Sequence, residues 1–223
     1  MNRIKGGFFV TFEALDRAGK STQVKLLYDH LKKEGYDVEA CREPGSSHLA
    51  ELIRRILLDP RIKRSEDFPL SHFLLFSAAR CELYGGAIRP ALKKGKVVID
   101  DRCIDSSDAY QGHGEGLDLE RMHKVHDWVL NGRWPDITFF IDMHPKNYKR
   151  GARKVHEFGR KDRYERKTDD FRMKVYNGYK ENLRKYPERI KAIPYIFGEV
   201  DEMHKMIVRK FHEAYDRKLK EMK

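Results

Sequence analysis

The feature that most constrains the fold lies near the start of the chain, where an apolar run, a glycine-containing loop and a helical pattern follow one another. Residues 8–12, FFVTF, predict a buried strand. The loop ends in Gly19, Lys20 and Ser21, and residues 24–31 carry apolar side chains at helical spacing. A strand, a tight loop and a helix arranged in this way direct several backbone N–H groups to one point. The order therefore predicts a phosphate-binding loop within an α/β fold.

Ala14 stands where the motif G-x-x-x-x-G-K-[ST] usually has its first glycine. A plain glycine turn is the alternative interpretation, but the strand and the helix on either side favour a working phosphate loop. Glycine permits unusual backbone dihedrals at this position, and alanine replaces it without strain where φ is negative. We therefore expect Ala14 to be tolerated, with Lys20 close to the β- and γ-phosphates of a nucleotide and Ser21 close to Mg²⁺.

The rest of the chain alternates between predicted strands and helices. Further strands are predicted at residues 38–41, 96–101, 137–143 and 193–197. Strands that alternate with helices form right-handed crossovers and a parallel sheet that helices cover on both faces. Because the sequence has no internal repeat and no low-complexity linker, residues 1–223 are predicted to form one α/β domain. Ligands of such sheets bind at the carboxyl ends of the strands.

Charge and cysteine content narrow the class of protein. The net charge of +11 indicates a surface that attracts anions, whether nucleotides, nucleic acid or acidic lipid. Residues 146–167 contain ten Lys or Arg against three Asp or Glu, which suits a phosphate-binding lid or a solvated face. No apolar stretch is long enough to span a membrane. The three cysteines, Cys41, Cys81 and Cys103, are dispersed, which excludes a disulfide framework and favours a cytoplasmic location.

Three further motifs carry candidate functional residues. Asp101 and Arg102 end the predicted strand 96–101, where they suit a Mg²⁺-bound water and a phosphate, or equally a structural ion pair. Arg42 begins the motif REPG after the second predicted strand. Phe76 and Arg80 are four residues apart on a predicted helix, where a ring and a guanidinium can hold a planar base. Core packing with a partly exposed arginine is the commoner meaning of that spacing.

Taken together, five segments resemble thymidylate kinases in their order and spacing. The segments are ALDRAGKST at 14–22, REPG at 42–45, FSAAR at 76–80, DR-x-x-x-SS-x-AYQG at 101–112 and GRKDRYE at 159–165. The resemblance runs from about residue 8 to residue 197 and implies transfer of the γ-phosphoryl group of Mg-ATP to dTMP. It also implies the P-loop nucleoside-monophosphate kinase fold, a three-layer α/β/α arrangement with a five-stranded parallel sheet and a short basic lid at about 146–167.

The same resemblance implies the roles of individual residues. The implied ATP site consists of Ala14, Leu15, Asp16, Arg17, Ala18, Gly19, Lys20, Ser21, Thr22, Arg153 and Arg160. The implied dTMP site consists of Asp16, Arg42, Phe76, Arg80, Arg102, Ser106, Tyr110 and Gln111. The implied Mg²⁺ ligands are Ser21 and Asp101, partly through water. The implied catalytic residues are Arg17, Lys20, Asp101 and Arg102.

Within these sets, Asp16 is expected to face the deoxyribose 3′-hydroxyl, and Phe76 to stack on thymine while Arg80 bonds a base carbonyl. Arg17 in the loop is the first choice for the γ-phosphate, with Arg153 and Arg160 of the lid in support. Arg163 is either a further lid residue or a structural anchor. A homodimer packed through helices is also implied, with the apolar regions around residues 53 and 73 as candidates unless they belong to the core.

Several positions depart from the family pattern, namely Ala14, Ser46, Asp100, Cys103 and Glu115. Asp100 and Cys103 adjoin the implied acceptor site, so the preference for dTMP is less firmly indicated than the type of reaction. A kinase for another deoxynucleoside monophosphate and a deoxynucleoside kinase are therefore alternatives, although two acceptor-side arginines argue against the second. A P-loop protein that binds nucleic acid is a further alternative that the charge distribution supports weakly.

Overall fold

The computed structural model describes residues 3–62, 65–148, 164 and 167–222. Its five strands are β1 Phe8–Ala14, β2 Val38–Arg42, β3 Val97–Asp101, β4 Ile137–Asp142 and β5 Ile190–Pro194. They form one sheet in the order β2-β3-β1-β4-β5, and each neighbouring pair is parallel. The predicted fold class, with its five-stranded parallel sheet, is confirmed.

Eight α-helices lie among the described residues. They are α1 Lys20–Lys33, α2 His48–Leu58, α3 Phe68–Leu83, α4 Arg89–Lys93, α5 Ile104–Ser107, α6 Leu119–Leu130, α7 Asp169–Lys185 and α8 Val200–Glu221. Two π-helical segments, Tyr84–Ile88 and Asp108–Gly114, follow α3 and α5. Apolar periodicity does not predict these segments, because a π-helical turn shifts the helical phase by only one residue.

Helices cover both faces of the sheet because successive side chains of a strand point in opposite directions. Phe8 of β1 meets Phe211 of α8, with ring centroids 5.4 Å apart. The next residue, Phe9, belongs to a separate apolar cluster with Leu83 and Leu130, at the ends of α3 and α6. Consecutive phenylalanines in one strand thus anchor the two outer layers of the α/β/α arrangement.

The strand register places the candidate site at one edge of the sheet. Asp101, at the end of β3, lies beside Phe12 of β1 on one side and beside Arg42 of β2 on the other. Ala14 is the last residue of β1 and pairs with Ile141. Three adjacent strands therefore end at the same edge of the sheet. There they are followed by the phosphate loop, the Asp101–Arg102 pair and the REPG motif.

The last strand differs most from its prediction. The last strand was expected at residues 193–197 but spans Ile190–Pro194. The apolar run that suggested the later position continues past the strand, where Phe197 is 62% exposed. As the outermost strand, β5 pairs on one side only, so its sequence includes Lys191 and does not form a continuous apolar run.

Candidate active site

The phosphate loop connects β1 to α1, and of the two positions where the motif usually has glycine, only the second requires it. Gly19, the residue before α1, has φ 80°, which favours glycine. Ala14 is a strand residue without positive φ, so its methyl group brings no backbone strain. Gly19 has no side-chain oxygen to cap α1, in contrast to Ser47, which caps α2. Gly19 therefore does not cap the first N–H groups of α1 with a side chain. An anion-binding helix terminus needs such uncapped N–H groups.

Lys20 and Ser21 both contact Asp101 at the end of β3. The Lys20 ammonium group pairs with Asp101 Oδ1, and the Ser21 hydroxyl donates to Asp101 Oδ2 at 2.7 Å. A hydroxyl and a carboxylate are oxygen ligands of the type that Mg²⁺ prefers, and octahedral bonds of about 2.1 Å place neighbouring ligands about 3 Å apart. The spacing of these two oxygens therefore fits a Mg²⁺ site held by Ser21 and Asp101.

Arg102 links the end of β3 back to the phosphate loop. Its Nη1 donates to the carbonyl oxygen of Ala14 at 3.0 Å, and its Nη2 donates to Asp16 Oδ1 at 2.6 Å. Arg102 has φ 82°, a conformation that few residues other than glycine adopt. The predicted site residues Asp16 and Arg102 are thus brought into direct contact, and Arg102 is held in a fixed position beside the loop.

Beneath Arg102 lies Glu13, a buried carboxyl that sequence reasoning missed. Glu13 accepts hydrogen bonds from the Cys103 backbone at 2.8 Å and from the Tyr179 hydroxyl at 2.9 Å. The Ser106 hydroxyl donates to Glu13 and accepts from Arg102 Nη1 at 3.0 Å. Burial, with a contribution from Asp105, raises the pKa of Glu13 to about 7, although Arg102 opposes the shift. The available signal was a single charged residue inside the otherwise buried strand FFVTFEA.

Tyr164 joins several residues predicted for the acceptor site. Its ring lies edge-on to Tyr110, with centroids 5.3 Å apart, and 6.2 Å from the ring of Phe76. Gln111 Nε2 donates to the Tyr164 hydroxyl at 3.1 Å. The Arg102 guanidinium lies 5.5 Å from the centre of the Tyr110 ring. These rings form an aromatic cluster that is suited to a flat base. The cluster contacts Arg102, the arginine expected to bind phosphate.

Arg80 lies below this cluster and is 2% exposed. Its Nε donates to Glu43 Oε2 at 2.6 Å, and its Nη2 donates to the Cys103 carbonyl oxygen and the Ser107 hydroxyl, each at 3.1 Å. These contacts show a buried ion pair that supports the floor of the site. A hydrogen bond from Arg80 to a base carbonyl stays a prediction.

Asp100 and Cys103, two of the departures from the family pattern, are buried beside Glu43. Burial, together with the negative charge of Glu43, raises the pKa of Asp100 well above its ordinary value. Burial also raises the pKa of the Cys103 thiol well above its ordinary value. These groups therefore lie under the site and favour their uncharged forms.

The remaining predicted residues are less closely connected to the site. Arg42 is exposed, and its Nη2 donates to Glu51 Oε1 at 2.9 Å. Arg17 lies over the ring of Tyr148, with its guanidinium carbon 4.8 Å from the ring centre. Thr22 is in the first turn of α1. Buried loop residues complete the predicted set, namely Leu15 and Ala18. The lid arginines Arg153, Arg160 and Arg163 lie outside the described residues.

Comparison with known proteins agrees with this geometry. The family model for thymidylate kinase matches residues 12–207. The chain belongs to the thymidylate kinase family. It is 42% identical over 207 residues to the thymidylate kinase of Caldanaerobacter subterraneus subsp. tengcongensis, covering 93% of this chain and 96% of that protein. It is 41% identical over 212 residues to that of Chlorobium luteolum, covering 92% of this chain and 97% of that protein.

A solved structure supports the same assignment. The crystal structure of thymidylate kinase from Ehrlichia chaffeensis is 31% identical in sequence and superposes with a TM-score of 0.72, covering 92% of this chain and 99% of that one. Membership of the family makes the chain an ATP-dependent nucleoside-monophosphate kinase. Among the described residues, no helix has both the length and the apolarity that a membrane crossing requires.

Proposed function

We propose that the protein transfers the γ-phosphoryl group of Mg-ATP to the 5′-phosphate of dTMP, giving dTDP and ADP. The observation that carries this proposal is the arrangement at the end of β3. Lys20 and Ser21 of the phosphate loop meet Asp101, and the next residue, Arg102, binds back to Asp16 of the same loop. The groups proposed to bind ATP and those proposed to bind dTMP therefore both contact the segment formed by Asp101 and Arg102.

On the donor side, the loop amides and Lys20 bind the β- and γ-phosphates of ATP. Ser21 and Asp101 hold Mg²⁺, which neutralises charge on the phosphate oxygens when it is bound. Arg17 supplies a further positive charge to the γ-phosphate from within the loop. Its guanidinium stacks on Tyr148, a ring on which Arg172 of α7 also packs at 4.1 Å.

On the acceptor side, the thymine base stacks on Phe76 with Tyr110 and Gln111 beside it, and Arg102 and Arg42 bind the 5′-phosphate. The positions of Phe76, Tyr110 and Gln111 around Tyr164 support this assignment. Asp16 reaches the deoxyribose. Asp16 accepts a hydrogen bond from Arg102, so binding of dTMP exchanges part of that contact for contacts to the substrate.

The chemistry depends mainly on positioning and charge neutralisation. An oxygen of the dTMP phosphate attacks the γ-phosphorus, the bond from that phosphorus to the β–γ bridging oxygen breaks, and ADP carries away the electron pair. The transition state spreads negative charge over the γ-oxygens, where Lys20 and Arg17 stabilise it. The attacking phosphate oxygen is already anionic, so a strong general base is unnecessary.

The active form is proposed to be a homodimer that packs through α2 and α3. These two helices leave large apolar side chains 43–49% exposed, namely Leu49, Leu52, Ile56, Leu70 and Leu74. An apolar face of this kind marks an interaction surface. These side chains lie in the predicted regions around residues 53 and 73, although Ile53 and Phe73 themselves are 8% and 2% exposed and belong to the chain's own core. The dispersed free cysteines support a cytoplasmic location.

The proposal is tested by ADP release from Mg-ATP with dTMP, dUMP, dCMP, dGMP or thymidine offered separately. We expect the highest kcat/KM with dTMP and no turnover of thymidine above background. Turnover of thymidine at a rate comparable with dTMP would indicate a nucleoside kinase. Preference for another monophosphate would keep the reaction type and overturn the substrate, and no turnover with any monophosphate would overturn the proposal.

A further inference from the structure

Three potential metal ligands lie close together on two helices, far from the candidate active site. His30 is in the last turn of α1, Glu34 caps the end of that helix, and His212 is in α8. His30 Nε2 lies 3.1 Å from Glu34 Oε1, and His212 Nε2 lies 3.2 Å from Glu34 Oε2. The potential ligand atoms of the three side chains all lie within 4.8 Å of one another. Glu34 therefore presents one oxygen to each imidazole.

The distances fit a tetrahedral metal centre. Bonds of about 2.0–2.2 Å to nitrogen and oxygen place neighbouring tetrahedral ligands about 3.4 Å apart. Two imidazoles and one carboxylate also form a ligand set that occurs at zinc sites in which water occupies the fourth position. His30 and Glu34 are four residues apart on one helix and lie on the same face, and the packing of α1 against α8 adds His212.

His30 Nε2 provides an independent observation. This atom is shielded from solvent, and within the described part of the chain it forms no hydrogen bond, although it is 3.1 Å from a carboxylate oxygen. This nitrogen faces a carboxylate oxygen but is not aligned for a hydrogen bond with it. It is therefore suited to donate its lone pair to a cation.

We propose that His30, Glu34 and His212 form a binding site for one divalent transition-metal ion of the class of Zn²⁺. Imidazole nitrogen favours such ions over Mg²⁺, which prefers oxygen ligands. The site is separate from the Mg²⁺ position at Ser21, because Ser21 and Glu34 lie at opposite ends of α1, about 20 Å apart at about 1.5 Å per residue. A bound metal links the end of α1 to α8 and stabilises their packing. This site is independent of the proposed kinase activity.

The test is a titration of the untagged, chelator-treated protein with Co²⁺, followed by visible absorption, in millimolar Mg²⁺. The excess of Mg²⁺ occupies oxygen-ligand sites, so Co²⁺ reports the imidazole site. We expect one Co²⁺ per chain, displaced by Zn²⁺. A saturating concentration of Zn²⁺, about 100-fold above its Kd, should raise Tm by about 5–10 °C. Glu34→Gln and His212→Gln should weaken Co²⁺ binding at least about tenfold.

His48→Gln is the matched control, because His48 is exposed at the start of α2 and should leave the titration unchanged. Circular dichroism verifies that each variant is folded. Absence of stoichiometric Co²⁺ binding would overturn the proposal and leave a simple His–Glu–His ion-pair cluster. Binding that persists unchanged in folded His212→Gln would also overturn it, because the metal would then lie elsewhere.

Discussion

Replacing Glu13 by glutamine removes one titrating group from beneath the candidate active site and nearly preserves its shape. Glu13 is completely buried, and its pKa is raised from 4.5 to about 7, mainly by burial. The folded protein therefore binds this proton more tightly than the unfolded chain does. Between about pH 4.5 and pH 7 the native state holds more protons, so the free energy of unfolding decreases as pH rises through this window.

The size of the effect follows from the two pKa values. At about 1.4 kcal/mol per tenfold change in proton affinity, the complete contribution is about 3 kcal/mol, of which about 2.5 kcal/mol is lost between pH 5 and pH 8. Glutamine does not titrate and lacks this dependence. Relative to the wild type, the free energy of unfolding of Glu13→Gln should therefore increase by about 2.5 kcal/mol from pH 5 to pH 8.

Urea unfolding followed by circular dichroism, repeated at intervals from pH 5 to pH 8, measures this difference directly. Glu66→Gln is the matched control, because Glu66 is exposed and its curve should run parallel to that of the wild type. If Glu13→Gln also ran parallel to the wild type, Glu13 would not titrate in this range. The inferred balance between burial and the surrounding hydrogen-bond donors would then be wrong.

Four further variants test the roles proposed above. Asp101→Asn removes the carboxylate that Ser21 and Lys20 contact. We expect kcat to fall at least about 100-fold and the variant to need a higher Mg²⁺ concentration for half-maximal activity. An unchanged Mg²⁺ dependence would contradict the assignment. Arg17→Ala should lower kcat by about 1000-fold with little change in KM for ATP, because the charge acts mainly in the transition state; near-normal turnover would move this role to the lid. Phe76→Ala should raise KM for dTMP about tenfold through lost stacking while KM for ATP stays constant, and an equal rise in both constants would indicate general disruption instead. The double substitution Leu52→Glu and Leu74→Glu places charges on the exposed apolar face and should produce monomers in sedimentation velocity; a dimer that persists would require another interface.

The sequence alone determined the features that depend on local spacing. The phosphate loop was predictable because a strand, a loop and a helix follow one another within residues 8–31. The strand predicted at residues 96–101 spans Val97–Asp101, since its apolar run is a local signal. Asp101 and Arg102 were placed at the end of a strand for the same reason. All these signals lie within a few residues of the feature they predict.

The tertiary structure decided which distant residues meet. Glu13 and Tyr179 are hydrogen-bonded although 166 positions separate them in the chain. Arg80 and Glu43 are hydrogen-bonded across 37 positions. No local sequence pattern predicts either contact. Helix spacing also left open which apolar face of α2 and α3 is buried. Both faces carry large apolar side chains, and only packing against the rest of the chain covers Ile53 and leaves Leu52 exposed. Periodicity identifies an amphipathic helix or strand, but it does not show which element packs against the apolar face. Long-range packing decides this, because the free energy of burial depends on the side chains that cover that face.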